Sequence, residues 1–464
     1  MLKRKMYRML EAWKRDPKKK VLLLTGARQT GKTFIVREFA RNNYNDFLEV
    51  NFLENEDDGR LLAGAIGASE LVSRLSLIAG HALKPGTLVF LDEVQHLGRE
   101  IVTLSKFLLD DGRFDLVLSG SLLGIALEGV TSFPVGYARV LRMFPLDFEE
   151  FCWATGVPDS VLAKIREHYQ SKEPLDRSLH DRMTTMYRHY IAVGGMPEAV
   201  QKFVDNKRDL GAARETDGDI AEQYRYDITQ YADKRKLPIL AIFDNIPAQL
   251  AKENKRFVMK TIRQGTTYDR LKDDFFWLTK AGVALPTYLA SEPKYPLLRT
   301  KVKEKFKLYS SDCGVLLAQY PPAAAMKVVS GNGDANFGAV YENVVAQEIA
   351  AAGFPLYYYH NNRKGELDFL LETGEGCVLP VEVKSGKDYK LHTALNNLLQ
   401  TEEYGIRHAY VFSEHNVSVE QRAGKPVYYL PLYMTMCLVM EKGGNLKGAM
   451  LDEVSFADWD DGRA

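Results

Sequence analysis

The chain has 464 residues, 46% of them hydrophobic and 26% charged, and its 61 Lys and Arg balance its 61 Asp and Glu. At roughly 100–200 residues per domain, this length predicts about two to four domains of ordinary globular composition. A net charge of zero argues against a surface built entirely for nucleic acid or membrane, but it is compatible with a local basic groove.

Cysteine spacing and hydropathy indicate in which cellular compartment the protein is expected. The four cysteines, at positions 152, 313, 377 and 437, lie far apart, and none forms a C-x-x-C pair. A disulfide framework or zinc site is therefore not expected, and a reducing cytosol is the simplest context. The opening MLKRKMYRML lacks the apolar core of a secretory signal, and no apolar run approaches the roughly 20 residues that span a bilayer. We expect a cytoplasmic protein with no membrane segment.

The first predicted element is an apolar strand at 21–24, followed by GARQTGKT. These eight residues match G-x-x-x-x-G-K-[ST] at every fixed position. Apolar residues recur at helical spacing from 34 to 40, so the motif lies between a strand and a helix. The predicted nucleotide-binding loop consists of Gly26, Ala27, Arg28, Gln29, Thr30, Gly31, Lys32 and Thr33.

The residue types in this loop fit phosphate chemistry. Gly26 and Gly31 let backbone N–H groups approach phosphate oxygens, and the following helix directs its N-terminus at the anion. Lys32 is expected to reach the β- and γ-phosphates, and Thr33 to offer its hydroxyl to Mg²⁺. The loop therefore predicts binding of ATP with Mg²⁺.

A second buried strand, LVFLDE at 88–93, ends in two carboxylates. Asp92 is expected to hold Mg²⁺ through water, and Glu93 to polarise the water that attacks the γ-phosphate. A third strand, 114–118, is followed by Ser119 and Ser121. We expect this strand to lie between the two motif strands, so that one of these serines senses the γ-phosphate or positions water; a plain Ser-Gly turn is the alternative. Ser119 is therefore a further catalytic candidate.

Two arginines follow in GYARVLRMFPLDFEEF. Arg139 or Arg142 is a candidate arginine finger that contacts a neighbour's nucleotide in a homo-oligomer. Ordinary solvated arginines are the alternative. The sequence does not set a number of subunits.

The middle of the chain predicts mainly helices. Residues 151–215 are expected to form a helical lid, in which Glu198 follows a Gly-Gly-Met-Pro turn and either faces the nucleotide or caps a helix. The run 268–290 predicts a helix, a turn at Gly282 and a strand.

Beyond this run, LLRTKVKEKFKLY carries cations at alternate positions, which would place all of them on one face of a strand. That face is either a phosphate-contacting stripe for DNA or a solvated surface. The five cations are Arg299, Lys301, Lys303, Lys305 and Lys307.

The last third contains a second chemical constellation. A helix is predicted at 338–352 with Glu342 early in it, and strands at 356–360, 366–371 and 378–384. Asp368 is followed fourteen residues later by E-x-K, which resembles the PD-(D/E)XK nuclease pattern. Asp368 and Glu382 are candidate Mg²⁺ ligands with Glu342 as an extra carboxylate, and Lys384 is a candidate for orienting water or stabilising charge at phosphorus.

With these residues in view, the chain resembles a family of prokaryotic AAA-type ATPases that have a C-terminal domain of unknown function. The resemblance rests on TGARQTGKT, LVFLDEVQ, LSGS, FPLDFEEF, GGMPEAV, KLYSSDCGVL, GELDFLL and VEVKSG, in this order. Many relatives have an arginine directly after the glycine that is Gly136 here, whereas this chain has Tyr137 there and its next arginine, Arg139, two positions on.

The resemblance implies an α/β fold with four parts. These are a P-loop ATPase domain at 1–150 with a parallel sheet, a helical lid at 151–215, a winged-helix-like region at 216–328 and a nuclease-like domain at 329–464. SGNGDANFG, at 330–338, is expected to be a linker or surface loop.

Two functions compete. The first is an ATPase joined to a metal-dependent nuclease that acts on DNA, and the intact Asp368, Glu382 and Lys384 favour it. The second is a nucleotide-dependent switch or interaction protein whose nuclease-like domain binds a partner without catalysis, and the zero net charge favours it. A small-molecule kinase is a third hypothesis, but the LDE strand fits water activation better than phosphoryl transfer to a metabolite.

Overall fold

The structure is a computed structural model that describes residues 2–98, 100–121, 138–232, 235–331, 338–386 and 389–443. Gly136, Tyr137 and positions 332–337 of the predicted linker lie outside the described residues. Among the described residues, no helix has both the length and the apolar character needed to cross a membrane.

The N-terminal region is a parallel five-stranded sheet in the order β2-β3-β4-β1-β5. Its strands are apolar on both faces because helices cover both: Leu22 and Leu24 pack with α1 and α2, while Val21 and Leu23 pack with α3 to α5. As predicted, β4 lies between the two motif strands, β1 and β3. The strands are β1 (Val21–Thr25), β2 (Phe47–Asn51), β3 (Leu88–Asp92), β4 (Asp115–Gly120) and β5 (Ala138–Arg142). The helices are α1 (Lys5–Lys14), α2 (Lys32–Asn43), α3 (Glu56–Ala63), α4 (Ala68–Ala79) and α5 (Glu100–Asp111).

Helices dominate the segment from 148 to 280. The first begins with a capping box, in which the Asp147 side chain accepts from the Glu150 N–H at 2.9 Å and the Glu150 side chain accepts from the Asp147 N–H at 3.4 Å. The helices are α6 (Phe148–Ala154), α7 (Asp159–Ser171), α8 (Arg177–Val193), α9 (Pro197–Asp205), α10 (Leu210–Tyr231), α11 (Lys236–Leu250) and α12 (Tyr268–Lys280).

The second sheet is mixed and has the order β12-β13-β11-β10-β9-β8-β6-β7. Strands β6 and β7 come from the middle of the chain, and β6 pairs in parallel with β8, so one sheet crosses the expected boundary between 328 and 329. The strands are β6 (Ala284–Ala290), β7 (Lys301–Ser310), β8 (Tyr357–Asn361), β9 (Gly365–Glu372), β10 (Val378–Val383), β11 (Ala409–Ser413), β12 (Ser418–Arg422) and β13 (Lys425–Pro431). The remaining helices are α13 (Cys313–Ala318), α14 (Pro322–Ser330), α15 (Gly338–Ala351) and α16 (Thr393–Leu399).

One hydrophobic core unites the lid, the middle helices and this sheet, and it contains residues from Ala27 to Leu438. Helix α15 is buried on all sides within it, from Ala339 to Ala350. Ala27 of the nucleotide-binding loop therefore belongs to the same hydrophobic core as α15.

The expectation of one five-cation face is wrong. Arg299 lies in a 3₁₀ turn before β7, and the pairing of β6 with β7 slips, since Tyr288 pairs with Phe306 but Leu289 pairs with Val302. Such an irregularity breaks the two-residue alternation of side chains. As a result, Lys303 and Lys305 are exposed while Lys307 is fully buried. These lysines differ in burial because the register of the sheet, and not the spacing along the chain, determines which of them faces the core.

Candidate functional site

A cleft of about 530 Å³ opens at the carboxyl ends of β1 and β3. The nucleotide-binding loop forms its floor, and the α9 N-terminus with Glu198 forms part of its wall. The lining residues are Leu2, Arg4, Arg28, Gln29, Gly31, Lys32, Thr33, Phe34, Ile35, Arg37, Glu93, Met143, Pro197, Glu198 and Gln201.

The loop backbone suits an anion. Gly26 has a φ of +145°, and a Cβ there would lie 2.2 Å from the Met143 carbonyl oxygen, so no other residue fits this position. Gly31 caps α2 with no side-chain hydrogen bond. The first N–H groups of a twelve-residue helix therefore stay available to phosphate oxygens.

Lys32 is buried beneath this loop. Its Nζ donates to the carbonyl oxygens of Gly26 at 3.0 Å and Ala27 at 2.8 Å. Burial lowers the pKa of Lys32 to about 8, although Glu93 and Asp92 oppose this shift. The ammonium group is thus held among weak acceptors that a phosphate would replace with charged ones.

Asp92 connects three elements. Its Oδ2 accepts from the Thr33 hydroxyl at 2.6 Å, and its Oδ1 accepts from the Ser119 hydroxyl and from the Glu93 N–H at 2.9 Å. The Thr33 hydroxyl in the first turn of α2 and the Asp92 carboxylate at the end of β3 supply the oxygen ligands that Mg²⁺ prefers. The residues present therefore fit the magnesium ion that the fold implies.

Glu93 follows β3 in a left-handed conformation, with a φ of +53°. This uncommon geometry for a non-glycine residue turns its side chain out of the sheet and into the cleft. Its Oε2 accepts from the Gln95 amide and, at 3.4 Å, from the Ser121 hydroxyl. The carboxylate therefore lines the same cleft as Lys32 and Thr33.

The two candidate finger arginines do not line this cleft. Arg139 and Arg142 lie on β5, the edge strand of the sheet, and both are exposed. A role for either toward a neighbour's nucleotide stays a prediction.

The C-terminal constellation surrounds Lys307, for which the alternation of cations predicts a position on a strand face with the other four. Its Nζ lies 2.8 Å from Glu366 Oε1, 3.7 Å from Glu342 Oε2 and 3.8 Å from Asp368 Oδ1. Burial disfavours the ammonium, but these acids and Tyr309 raise the pKa of Lys307 well above its usual value. The flanking Phe306 and Leu308 are the sequence signal for its burial.

The predicted nuclease-like residues do meet in space. Glu382 Oε1 lies 2.8 Å from Lys384 Nζ, Asp368 Oδ2 accepts from the Val383 N–H at 2.9 Å, and Glu342 pairs with Lys255. Burial and the neighbouring carboxylates raise the pKa values of Asp368 and Glu382. The pKa of Glu342 is lowered, because Lys307 and Lys255 outweigh its burial.

The fit of this cluster to a metal is poor. Three lysine ammonium groups, those of residues 255, 307 and 384, already pair with its acids. Within the described ranges, no group of three or more His, Cys, Asp or Glu side chains is arranged to hold a metal ion. A buried ion-pair network describes the observed geometry.

Comparisons with known proteins match three successive segments. Residues 18–152 match the AAA domain family, residues 184–322 match a domain of unknown function (DUF8612), and residues 337–433 match another (DUF4143). With the loop geometry above, the first match defines the N-terminal region as an AAA-type ATPase domain. The descriptions of the other two assign no activity.

Two solved structures are similar to the chain. The Walker-type ATPase Paby2304 of Pyrococcus abyssi is 15% identical with a TM-score of 0.40, and the alignment covers 69% of this chain and 96% of that one. The Aeropyrum pernix Orc1 protein, solved in complex with DNA, is 14% identical with a TM-score of 0.25, and the alignment covers 70% and 90%. The comparison with curated proteins found no match.

Proposed function

We propose that this protein hydrolyses ATP with Mg²⁺ and couples the nucleotide state to its C-terminal nuclease-like domain. The proposal of Mg²⁺-dependent ATP hydrolysis is supported by the hydrogen bonds that Thr33 and Ser119 donate to Asp92, beside the buried Lys32. Lys32 binds the β- and γ-phosphate oxygens, and Thr33 and Asp92 hold the metal. When bound, the metal supplies positive charge next to the phosphates.

The remaining steps belong to side chains of this chain. Glu93 orients a water toward the γ-phosphorus and accepts its proton. Ser119 fixes the orientation of Asp92 through its hydrogen bond, and Ser121 holds Glu93 at 3.4 Å.

The test separates binding from hydrolysis. Lys32→Ala is expected to weaken ATP binding, whereas Glu93→Gln is expected to bind ATP normally and to lose about 10²–10⁴-fold in kcat. Glu100→Gln, which changes an exposed carboxylate at the start of α5, is the matched control. Binding is measured by equilibrium titration and turnover by phosphate release. Normal ATP affinity in Lys32→Ala would refute the site assignment.

Coupling is proposed through the turn before β6. A Cβ at Gly282 would lie 2.7 Å from the Ala27 nitrogen, so this turn packs directly on the nucleotide-binding loop. Tyr224 on α10 also donates to the Arg28 carbonyl oxygen at 3.2 Å. Strand β6 continues from the turn into the sheet that carries the carboxylate cluster.

We propose DNA as the partner of the nuclease-like domain and of the winged-helix-like region before it. The support is the group of cations that remains at the start of the β7 strand: Arg299, Lys303 and Lys305 are exposed, and Lys301 is partly exposed. Replacing all four by Ala should weaken DNA binding and make the salt slope shallower by up to about 0.9 per lost phosphate contact. An unchanged slope would exclude this surface.

The second candidate is recognition of DNA without cleavage. It is favoured by Lys307, whose ammonium occupies the centre of the acids that a nuclease would use for metal. Linear, circular and single-stranded DNA are incubated with Mg²⁺, with and without ATP, beside Asp368→Ala. Cleavage that disappears in Asp368→Ala would establish a nuclease. Binding and ATP turnover without cleavage would establish the switch.

A further inference from the structure

Arg28 is the third residue of the nucleotide-binding loop, and its side chain pairs with Asp227 on α10. The two residues are 199 positions apart in the chain, and their side chains are only 20% and 9% exposed. Gln29 makes a parallel contact, since its amide donates to Gln223 at 2.9 Å. One helix of the middle region therefore holds the loop at two successive residues.

The Arg28 guanidinium lies next to the hydrolytic groups. Arg28 lines the nucleotide cleft together with Lys32 and Glu93, and it also lines a small cavity with Ser121 and Asp227. Its charge acts to lower the pKa of Lys32. Burial raises the pKa of Asp227, although Arg28 opposes this, and Glu93 adds to the rise. The arginine is thus placed between the cleft and a poorly solvated counterion.

Three arginines line the cleft: Arg28, Arg4 and Arg37. Arg4 and Arg37 already donate several hydrogen bonds to other protein groups. Arg4 donates to Glu150 at 3.0 Å and to the carbonyl oxygens of Thr30 at 3.0 Å and Phe144 at 2.6 Å. Arg37 forms a two-pronged pair with Glu49 at 2.7 Å on an exposed surface. Arg28 donates one hydrogen bond to Asp227, whereas Arg37 donates two and Arg4 three, so Arg28 has the most donors left for a phosphate.

We propose that Arg28 is a catalytic residue that stabilises the γ-phosphoryl group from within the same chain, and that Asp227 holds it aside until nucleotide binds. This proposal rests on the ATPase function proposed above. A triphosphate offers the guanidinium several charged oxygens, which it binds in the two-pronged geometry that it also forms with carboxylates. Charge that develops on the transferring group is stabilised by such a cation.

The chemical step is balanced without a further reactant. The oxygen of water forms a bond to the γ-phosphorus, and its proton passes to the Glu93 carboxylate. The bond from the γ-phosphorus to the bridging oxygen breaks, and ADP leaves with the electron pair. Arg28 donates hydrogen bonds throughout and transfers no proton, because guanidinium does not deprotonate in proteins.

The experiment compares Arg28→Ala, Arg28→Lys and Asp227→Asn in the full-length chain. Three quantities are measured: the Kd for ATP, the Kd for ADP with aluminium fluoride as a transition-state mimic, and kcat. The shift of Tm on adding ATP is recorded as a readout independent of turnover.

The proposal predicts opposite effects of breaking the same ion pair from its two ends. Arg28→Ala should keep the Kd for ATP within about threefold, lose tight binding of the mimic and lose about 10³–10⁵-fold in kcat. Arg28→Lys should recover only part of this, since an ammonium lacks the planar fork. Asp227→Asn should keep or raise kcat and show a larger Tm shift with ATP than the unaltered protein.

Each other result is decisive. If Arg28→Ala and Asp227→Asn lose kcat and mimic binding equally, the pair is only structural and the proposal is overturned. If Arg28→Ala turns over ATP at the unaltered rate, the proposal fails while the ATPase function stands. If the unaltered protein neither binds nor hydrolyses ATP, the ATPase function fails and this inference fails with it.

Discussion

At the scale of single residues, Lys32 is the group most constrained by its surroundings. Its ammonium is buried and hydrogen-bonded only to the carbonyl oxygens of its own loop, and its pKa is lowered to about 8. A lowered lysine pKa means that the nucleotide-free protein gains stability as pH rises from about 8 toward the ordinary value near 10.4. Burial therefore destabilises the charged ammonium of Lys32, and a bound anion would stabilise it.

The same pKa predicts the pH dependence of ATP binding. Phosphate groups are already ionised above about pH 7, so the affinity should follow the protonation of Lys32. The Kd for ATP is expected to rise about tenfold between pH 7 and pH 9. In Lys32→Arg, whose charge is permanent, this dependence should disappear. A Kd for the unaltered protein that stays constant over this range would contradict a lowered pKa.

At the scale of elements, β7 carries two lysines, two residues apart, that differ completely in burial. Lys305 is exposed, whereas Lys307 is fully buried among Glu342, Glu366 and Asp368. The difference arises from the irregular pairing with β6, which interrupts the alternation between the two positions. The strand thus joins the proposed DNA-facing surface to the buried acid cluster.

Removing either charge should have unequal consequences. Lys307→Ala leaves buried carboxylates without their cation, and the free energy of unfolding is expected to fall by about 3–5 kcal/mol. Lys305→Ala is the matched control on the same strand, and it should change stability by less than about 0.5 kcal/mol. Denaturant unfolding measures both. Equal effects would show that the ion-pair network does not stabilise the fold.

At the scale of the whole molecule, the nucleotide site is not confined to the ATPase sheet. Helix α10 holds the loop through Arg28 and Gln29, and the Gly282 turn packs on Ala27. That turn leads directly into β6 and hence into the eight-stranded sheet. These contacts are the basis of the proposed coupling between the loop and the C-terminal sheet.

A comparison of two glycines tests this connection. Gly282 and Gly265 both have a left-handed φ, +79° and +74°, but a Cβ at Gly265 has no neighbour within 4 Å. Both Gly→Ala changes should cost about 1 kcal/mol through the backbone. Only Gly282→Ala should also weaken ATP binding, because its Cβ pushes against the loop. Equal ATP affinities in the two variants would contradict direct contact.

The sequence by itself determined the elements that carry the candidate nucleotide site. The strand at 21–24, the loop and the helical spacing from 34 to 40 were predicted because they depend on local pattern, as was the acidic strand end at Asp92, and the order of β4 between β1 and β3 was predicted as well. The helix and strands of the C-terminal constellation were also predicted, and Glu342, Asp368 and Glu382 do converge.

Only the tertiary structure decided the environments of several other residues. Lys307 is buried because the pairing of β6 with β7 shifts register. Arg28 pairs with Asp227, which is 199 positions away in the chain. Gly282, in the turn before β6, packs against Ala27 of the nucleotide-binding loop. Each outcome depends on contacts between distant segments. Spacing along the chain determines which side chains share a face, but it does not determine what that face packs against.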